Sequence, residues 1–473
     1  MDKMKKQLLY VLPFIIGFTF RFILEMLYPY SPIGFDPMGY YVEYLYQRIN
    51  PATFYYAGFL YYYFSYYLNS VINNPIFTIK LLDSINSGFY LLALTAFINS
   101  FFWKNKYKQN YINTFSKSLL YSSFALFTFP GLYLSWGLQR NLLAFSFFLL
   151  FLVVNNEQIR YKPFLQMLLI VLSGMSDPAI LPLEFFVIML KIPPKWRVTY
   201  AASIIVLTIS MILDLYIFYE RNQSPLMIFL GFFISTPLKG FYINVISNLV
   251  SIIIMIIPYI PFLIYASFKR AYKNFDMKMF ISFLISIFAF LNSFANRYAA
   301  EGIAMLNRRT VDNGYKYVSI ITVILIIIVS FNFLFYTNTN PSPYFYNELT
   351  IKTGEINIIP VTFMQSTVPL GESKIFYELF KKINDTKYYV VALLYDVGFA
   401  YEAGLNPSRI FDAGENISLL YSESNILTKE GYHVYTVWWD NGNWYGLNAP
   451  LANFQPVVTM ENISLLNYYS PTQ

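Results

Sequence analysis

Residues 7–27 read QLLYVLPFIIGFTFRFILEML, and they decide the fold class: a run of this length with so little charge is long enough for a hydrocarbon core about 30 Å thick. Lys3, Lys5 and Lys6 precede it. Positive residues stay cytoplasmic, so the N-terminus is expected inside and the chain beyond Leu27 outside. The run is too long for a cleaved signal peptide, has no small-residue cleavage site and is followed by further apolar stretches, so it reads as a retained span. Arg21 and Glu25 stand four apart on one helical face in its outer half. Charges are costly in lipid, so the pair is expected to face protein or an aqueous cavity, as a structural ion pair or a functional one.

Working outward, the composition fits a polytopic membrane protein: 473 residues are 56% hydrophobic, 21% aromatic and 12% charged. The net charge of +7 conceals a split, since residues 1–336 hold 26 Lys+Arg against 13 Asp+Glu and 337–473 hold 7 against 13. A basic inner rim and an acidic outer domain account for that division, and nucleic acid is not implied. With no cysteine, disulfides and thiolate chemistry are excluded.

Apolar runs and basic clusters define about 10–11 membrane elements in a transmembrane domain over 1–336, with a first outer loop at about 28–80. Tyrosine-dense Phe54–Tyr67 is expected to lie at the outer interface. Leu81–Trp103 crosses inward to Lys104, Lys106 and Lys108; Leu119–Leu134 returns, and Leu142–Val154 goes back toward Arg160 and Lys162. Pro163–Leu190 reads as two short helices meeting at an outer turn around Ser176-Asp177-Pro178. Val198–Tyr216 runs outward, Tyr242–Phe268 inward, Met279–Leu306 repeats the short hairpin, and Val318–Tyr336 delivers the tail outside.

Residues 337–473 then read as a small extracytoplasmic α/β domain, with strands at Ile356–Met364, Tyr388–Tyr395 and Val434–Trp439 and an amphipathic helix at Lys374–Ile383. Three sequons begin at Asn384, Asn416 and Asn462, against one at Asn222 in the rest of the chain; such triplets are acceptors only outside the cytoplasm. This gives an integral cell-membrane protein with its N-terminus cytoplasmic and its C-terminal domain extracytoplasmic.

The first outer loop contains Gly34-Phe35-Asp36-Pro37-Met38-Gly39-Tyr40-Tyr41. Asp36 is the candidate catalytic residue: its carboxylate can serve as a general base toward a hydroxyl, or as a ligand for a divalent ion. Asp followed by Pro is also a standard helix opening, with Asp as the cap. Glu43, seven residues on and on the same helical face, is a second candidate acid or a solvated surface charge.

A charged first span, an outer G-F-D-P-x-x-Y-Y loop, aromatic helices, many spans and a C-terminal outer domain together resemble the GT-C superfamily of integral membrane glycosyltransferases. The loop is similar to that of the oligosaccharyltransferase catalytic subunit, a distant relative within that superfamily. Trp438-Trp439-Asp440-Asn441-Gly442 is similar to the W-W-D-Y-G motif with which that subunit reads the acceptor, and Tyr395-Asp396-Val397-Gly398, with Arg409 and Asp412 downstream, resembles a degenerate form. In the first of these, Trp438 and Trp439 would supply a stacking wall and Asp440 an acceptor oxygen; alternatively they end a core strand and Asp440-Asn441-Gly442 is a hairpin turn. The family's paired outer-loop acids are missing between Gly131 and Gln139. A single Asp36 is a poor cage for Mg²⁺ or Mn²⁺, so the resemblance leaves a divalent cation open as a cofactor without demanding one.

What the resemblance implies is an inverting glycosyltransferase. It would move a sugar from a polyprenyl (dolichyl-type) phosphate carrier to a lipid, glycan or protein acceptor at the outer face, with Asp36 as base. Arg297 and Arg140 fall where helices should reach the outer leaflet and are candidates for the lipid phosphate; snorkelling, or pairing with Glu301, Asp177 or Glu25, is the plainer role. His433, the single histidine, is either an aid to acceptor binding or a solvated loop residue. Transfer of an oligosaccharide to asparagine, a transporter or flippase for a lipid-linked sugar, and an inactive scaffold are the alternatives.

Overall fold

The computed structural model describes residues 9–34, 37–48, 59–103, 111–126, 138–156, 161–177, 180–218, 370–414, 416–439, 451–461 and 463–470. Within them the N-terminal part is helical: α1 (Val11–Met26), a π-helical turn (Pro37–Val42) running into α2 (Glu43–Tyr46), α3 (Phe59–Ile72), α4 (Pro75–Trp103), α5 (Tyr111–Leu126), α6 (Gln139–Asn156), α7 (Lys162–Ser176), α8 (Leu181–Lys191) and α9 (Pro194–Phe218). The expected spans at Tyr242–Phe268, Met279–Leu306 and Val318–Tyr336 lie outside the described residues.

Proline sets several of these ends. Pro163 and Pro182 occupy first-turn positions of α7 and α8, where a missing N–H costs nothing. Asp177, which precedes Pro178, is extended at φ −152° and ψ 113°, because a following proline ring disfavours the helical region. That stops α7 and produces the two-helix interval expected over Pro163–Leu190.

α4 starts earlier than expected. This helix begins at Pro75, six residues before the expected Leu81, and takes in Lys80 and Asp83, both buried. Burial is tolerable because each meets partners from other elements, described below. From Pro75 to Ser100, α4 is the one helix among the described residues long and apolar enough to cross a membrane; Gln139–Asn155 and Lys162–Ser176 are shorter apolar helices.

Helices α1 and α4 cross with almost no side chain between them. A Cβ on Gly17 would stand 2.6 Å from the Ser87 carbonyl oxygen, and one on Gly88 would stand 2.7 Å from that of Phe14. Only glycine permits this approach, which is the way helices pack when small residues replace bulky ones at a crossing.

The C-terminal part is an α/β unit of α10 (Leu370–Phe380), β1 (Tyr388–Ala392), α11 (Leu394–Glu402), β2 (Ile410–Asp412), α12 (Ile417–Lys429), β3 (His433–Trp439), β4 (Phe454–Met460) and β5 (Ile463–Tyr468). Its five-stranded sheet runs β2-β1-β3-β5-β4. Parallel pairing joins β1 to β2 and to β3, and antiparallel pairing joins β5 to β3 and to β4. Parallel neighbours need a crossover, and α11 and α12 supply it. The expected helix at Lys374–Ile383 and strand at Val434–Trp439 are present within a few residues. Tyr388–Tyr395 instead divides: β1 ends at Ala392 and α11 starts at Leu394, so Asp396 and Gly398 lie on a helix. The expected strand at Ile356–Met364 lies outside the described residues.

Alternation along the strands separates two cores. Val390, Ala392 and Val437 join Phe376, Phe380, Val397 and Phe399, and the same cluster continues into Met38, Tyr41, Leu45, Tyr61, Ile79 and Leu143. Val391, Val434, Trp438, Phe454 and Tyr468 face the other way, onto Leu420 of α12. One face of the sheet is thus continuous with the helical part, at the end where α4 and α6 start.

Candidate functional site

Gly34 opens the approach to the candidate loop with φ at +122°, a conformation that L side chains rarely adopt. Asp36 itself lies outside the described residues, as do Arg297, Glu301, Asp440 and the side chain of Trp439. The segment directly after Asp36 is described, and it is buried between the helices and the C-terminal unit.

Met38 packs onto α11 where Gly398 has no side chain; a Cβ there would meet Met38 Cε at 2.9 Å and its carbonyl oxygen at 3.0 Å. Tyr41 packs against Tyr61 with the rings tilted at 43° and meets Tyr62 edge-on, which joins the turn to α3. Tyr46 stacks on Tyr401 with ring centroids 5.2 Å apart, and its hydroxyl donates to Glu402 Oε2 at 2.6 Å. Tyr30 stacks on Tyr377 of α10. Of the two segments that resemble the acceptor motif, Tyr395–Gly398 lies against the first loop through Gly398, and residues 440–442 of the other lie outside the described residues.

Glu43 is no surface charge: only 3% of it is exposed. Burial, and then the carboxylate of Asp412 at the end of β2, push its carboxyl up to about 9, while Gln47 Nε2 donates to its Oε1 at 2.6 Å and pulls the other way. Asp412 is also raised by burial, although it accepts from Gly414 N–H at 2.7 Å and from the Glu43 carboxyl. Two carboxyls this close cannot both be ionised cheaply, so at neutral pH they share a proton, with neutral Glu43 donating to Asp412. Tyr401, which accepts from Gln47 Nε2 at 3.1 Å, is pushed up to about 12, chiefly by burial. Burial likewise raises Glu402 and Tyr46.

A second polar cluster holds the loop from the helical side. Arg21 is 1% exposed and Glu25 fully buried; Arg21 Nε donates to Glu25 Oε1 at 2.8 Å. The expectation that this pair faces protein is met. Arg21 also reaches Asp83 Oδ2 of α4 at 3.4 Å, and Tyr61 donates to the other oxygen of Asp83. Lys80 donates to the Tyr28 carbonyl and has Glu25 and Glu402 as charged neighbours. Sequence reasoning did not single out Lys80, Asp83 or Glu402. Lys80 and Asp83, three apart in an apolar helix, were the available signal, because such charges must share a face and find partners.

Of the remaining candidates, Trp438 is 1% exposed on the sheet face turned away from the loop, so its indole serves the second core. Arg140 is half-buried in the first turn of α6. Glu25, a partner considered for Arg140, is taken by Arg21. His433 opens β3 and is exposed, with Nδ1 2.5 Å from Asp385 Oδ2. Among the described residues no three His, Asp or Glu side chains come together as a metal site. No family model matches the chain, and no curated protein matches it.

Proposed function

We propose that the protein is a membrane glycosyltransferase of GT-C type, which transfers a sugar from a polyprenyl-phosphate carrier to an acceptor at the outer face, with Asp36 as the base. The observation that carries this reading is the seating of residues 37–46, directly after Asp36, between the helices and α11 of the C-terminal unit, around the Glu43–Asp412 pair. Tight packing on both sides makes the position of the segment reproducible, which a group abstracting a proton requires.

The helices support the membrane part of the reading. Their interiors hold Arg21, Glu25, Asp83, Asn86, Gln139, Asn141 and Glu184, whereas Ile15, Ile23, Phe64, Val71, Phe164, Val198 and Val206 are exposed. Polar inside and apolar outside suits lipid better than water. Buried charge also favours an enzyme over a transporter, which would spread it across the bilayer. Arg21 and Glu25 near the end of α1, Lys80 and Asp83 near the start of α4, and Glu184 near the start of α8 all fall at helix ends assigned to the outer side.

The test uses purified protein in liposomes carrying a polyprenyl-phosphate-linked radiolabelled sugar, with membrane lipid, glycan or peptide acceptors supplied in turn. Label should leave the carrier in the presence of one acceptor. Asp36→Asn, folded as judged by its melting curve, should slow this by about 10²–10⁴-fold, the usual contribution of a general base. Equal rates would overturn the assignment of Asp36, and label crossing the bilayer while still on its carrier would establish a flippase instead.

A further inference from the structure

The buried charges of α1 and α4 have more partners than an ion pair needs, and the extra ones are backbone. Arg21 Nη2 donates to the Ile33 carbonyl at 2.8 Å, while Glu25 Oε2 accepts from the Ile33 N–H at 3.0 Å. Both polar groups of one loop residue are thereby tied to side chains four apart on one helix. Five residues earlier in the loop, Lys80 holds the carbonyl of Tyr28. Asp83 of α4 completes the arrangement by accepting from Arg21, and Tyr61 of α3 donates to the other oxygen of Asp83. Cations and anions alternate, and Arg21, Glu25 and Lys80 each turn a further donor or acceptor to the loop backbone.

A salt bridge kept for stability alone would not require this, because buried ion pairs are often replaceable by apolar side chains without loss. Ile33 is followed by Gly34, whose positive φ turns the chain, and then by the residues that lead into the buried Pro37–Val42 turn. Residues 28–33 are thus held on one side of Asp36 and residues 37–46 on the other. We propose that Arg21 and Glu25 are positioning residues, with Glu25 as the specific anchor of the Ile33 amide, and that together with Lys80 they fix the loop that presents Asp36.

This inference rests on the role proposed for Asp36, but the clamp can be read without it. Amide hydrogen exchange would be followed in full-length protein in detergent, over a peptide covering residues 28–34 and a reference covering 388–400. Glu25→Gln retains an oxygen for the Ile33 N–H, and Glu25→Leu does not. Exchange over 28–34 should rise about tenfold in Glu25→Leu, the scale of one lost buried hydrogen bond, with the reference unchanged and Glu25→Gln close to wild type. In the transfer assay, Glu25→Leu should lower kcat with KM for the donor little changed, and Glu25→Gln should restore it.

Unchanged exchange in Glu25→Leu overturns the proposal, as does an equal rise in both peptides. Should Glu25→Leu not fold, Arg21→Gln decides: its uncharged amide has two N–H donors where Glu25, Asp83 and the Ile33 carbonyl present three acceptors, so faster exchange over 28–34 with the reference unchanged supports the clamp and wild-type exchange refutes it. A clamp seen by exchange in a protein without transferase activity would leave the positioning intact and remove only the function assigned to Asp36.

Discussion

Glu43 shows how far a single residue can depart from what its neighbours in sequence suggest. Its ordinary value near 4.5 becomes about 9 in the fold. Below pH 4.5 the carboxyl is protonated both folded and unfolded. Between there and about 9 the unfolded chain gives up a proton that the folded one keeps, so stability falls as pH rises through that window. Glu43→Gln cannot ionise and retains a donor for Asp412 and an acceptor for Gln47. Melting curves between pH 5 and 9 should therefore be flatter for the variant, which gains about 1 kcal/mol or more over wild type at pH 8. A wild-type slope equal to that of Glu43→Gln would remove the shared proton. The acidity of Glu43 and its helical face were legible in the sequence; its burial, the main cause of the rise, was not, because its neighbours Tyr401 and Asp412 arrive from the far end of the chain.

Elements were easier to read than their contacts. Length and apolarity identified α1, α4, α6 and α9 within several residues, and the proline-bounded interval 163–190 resolved into α7 and α8 as expected. α4 starts six residues before the expected Leu81 and includes Lys80, which Glu25, Glu402 and the Tyr28 carbonyl receive. α5 covers the beginning of the span expected over Leu119–Leu134, and the rest of that span lies outside the described residues. Nothing in the local pattern pairs Gly17 with Gly88, yet their crossing sets the distance between α1 and α4 and hence between Arg21 and Asp83. Gly17→Val should cost about 1–3 kcal/mol through forced separation of the two backbones. The measurement is the melting temperature in detergent, together with faster exchange over residues 28–34; a variant as stable as wild type would mean that the helices do not cross there.

For the whole molecule, the distribution of polarity makes the prediction. Exposed Val71, Phe164, Val198 and Val206, with Arg21, Glu25 and Asp83 enclosed, describe a surface that water would not tolerate over several helices. Expressed protein should remain with the membrane pellet through alkaline carbonate and urea washes and be released only by detergent; release by carbonate would remove the bilayer from the account. Overall composition already carried this expectation, and on the membrane reading these exposed apolar faces would be the ones turned to lipid. The tail was legible as α/β from its strands, but not as the partner of the first loop.

The bond between Tyr46 and Glu402 joins residues 356 positions apart. At the usual pace of synthesis, roughly twenty seconds to a minute pass between the emergence of the first and of the second. Throughout that interval the 37–46 turn has its helical neighbours but neither Asp412 for Glu43 nor Gly398 for Met38. A ribosome that stalls before residue 398 leaves a chain whose first loop lacks every partner that the C-terminal unit supplies, so this loop is among the last parts of the chain to be completed.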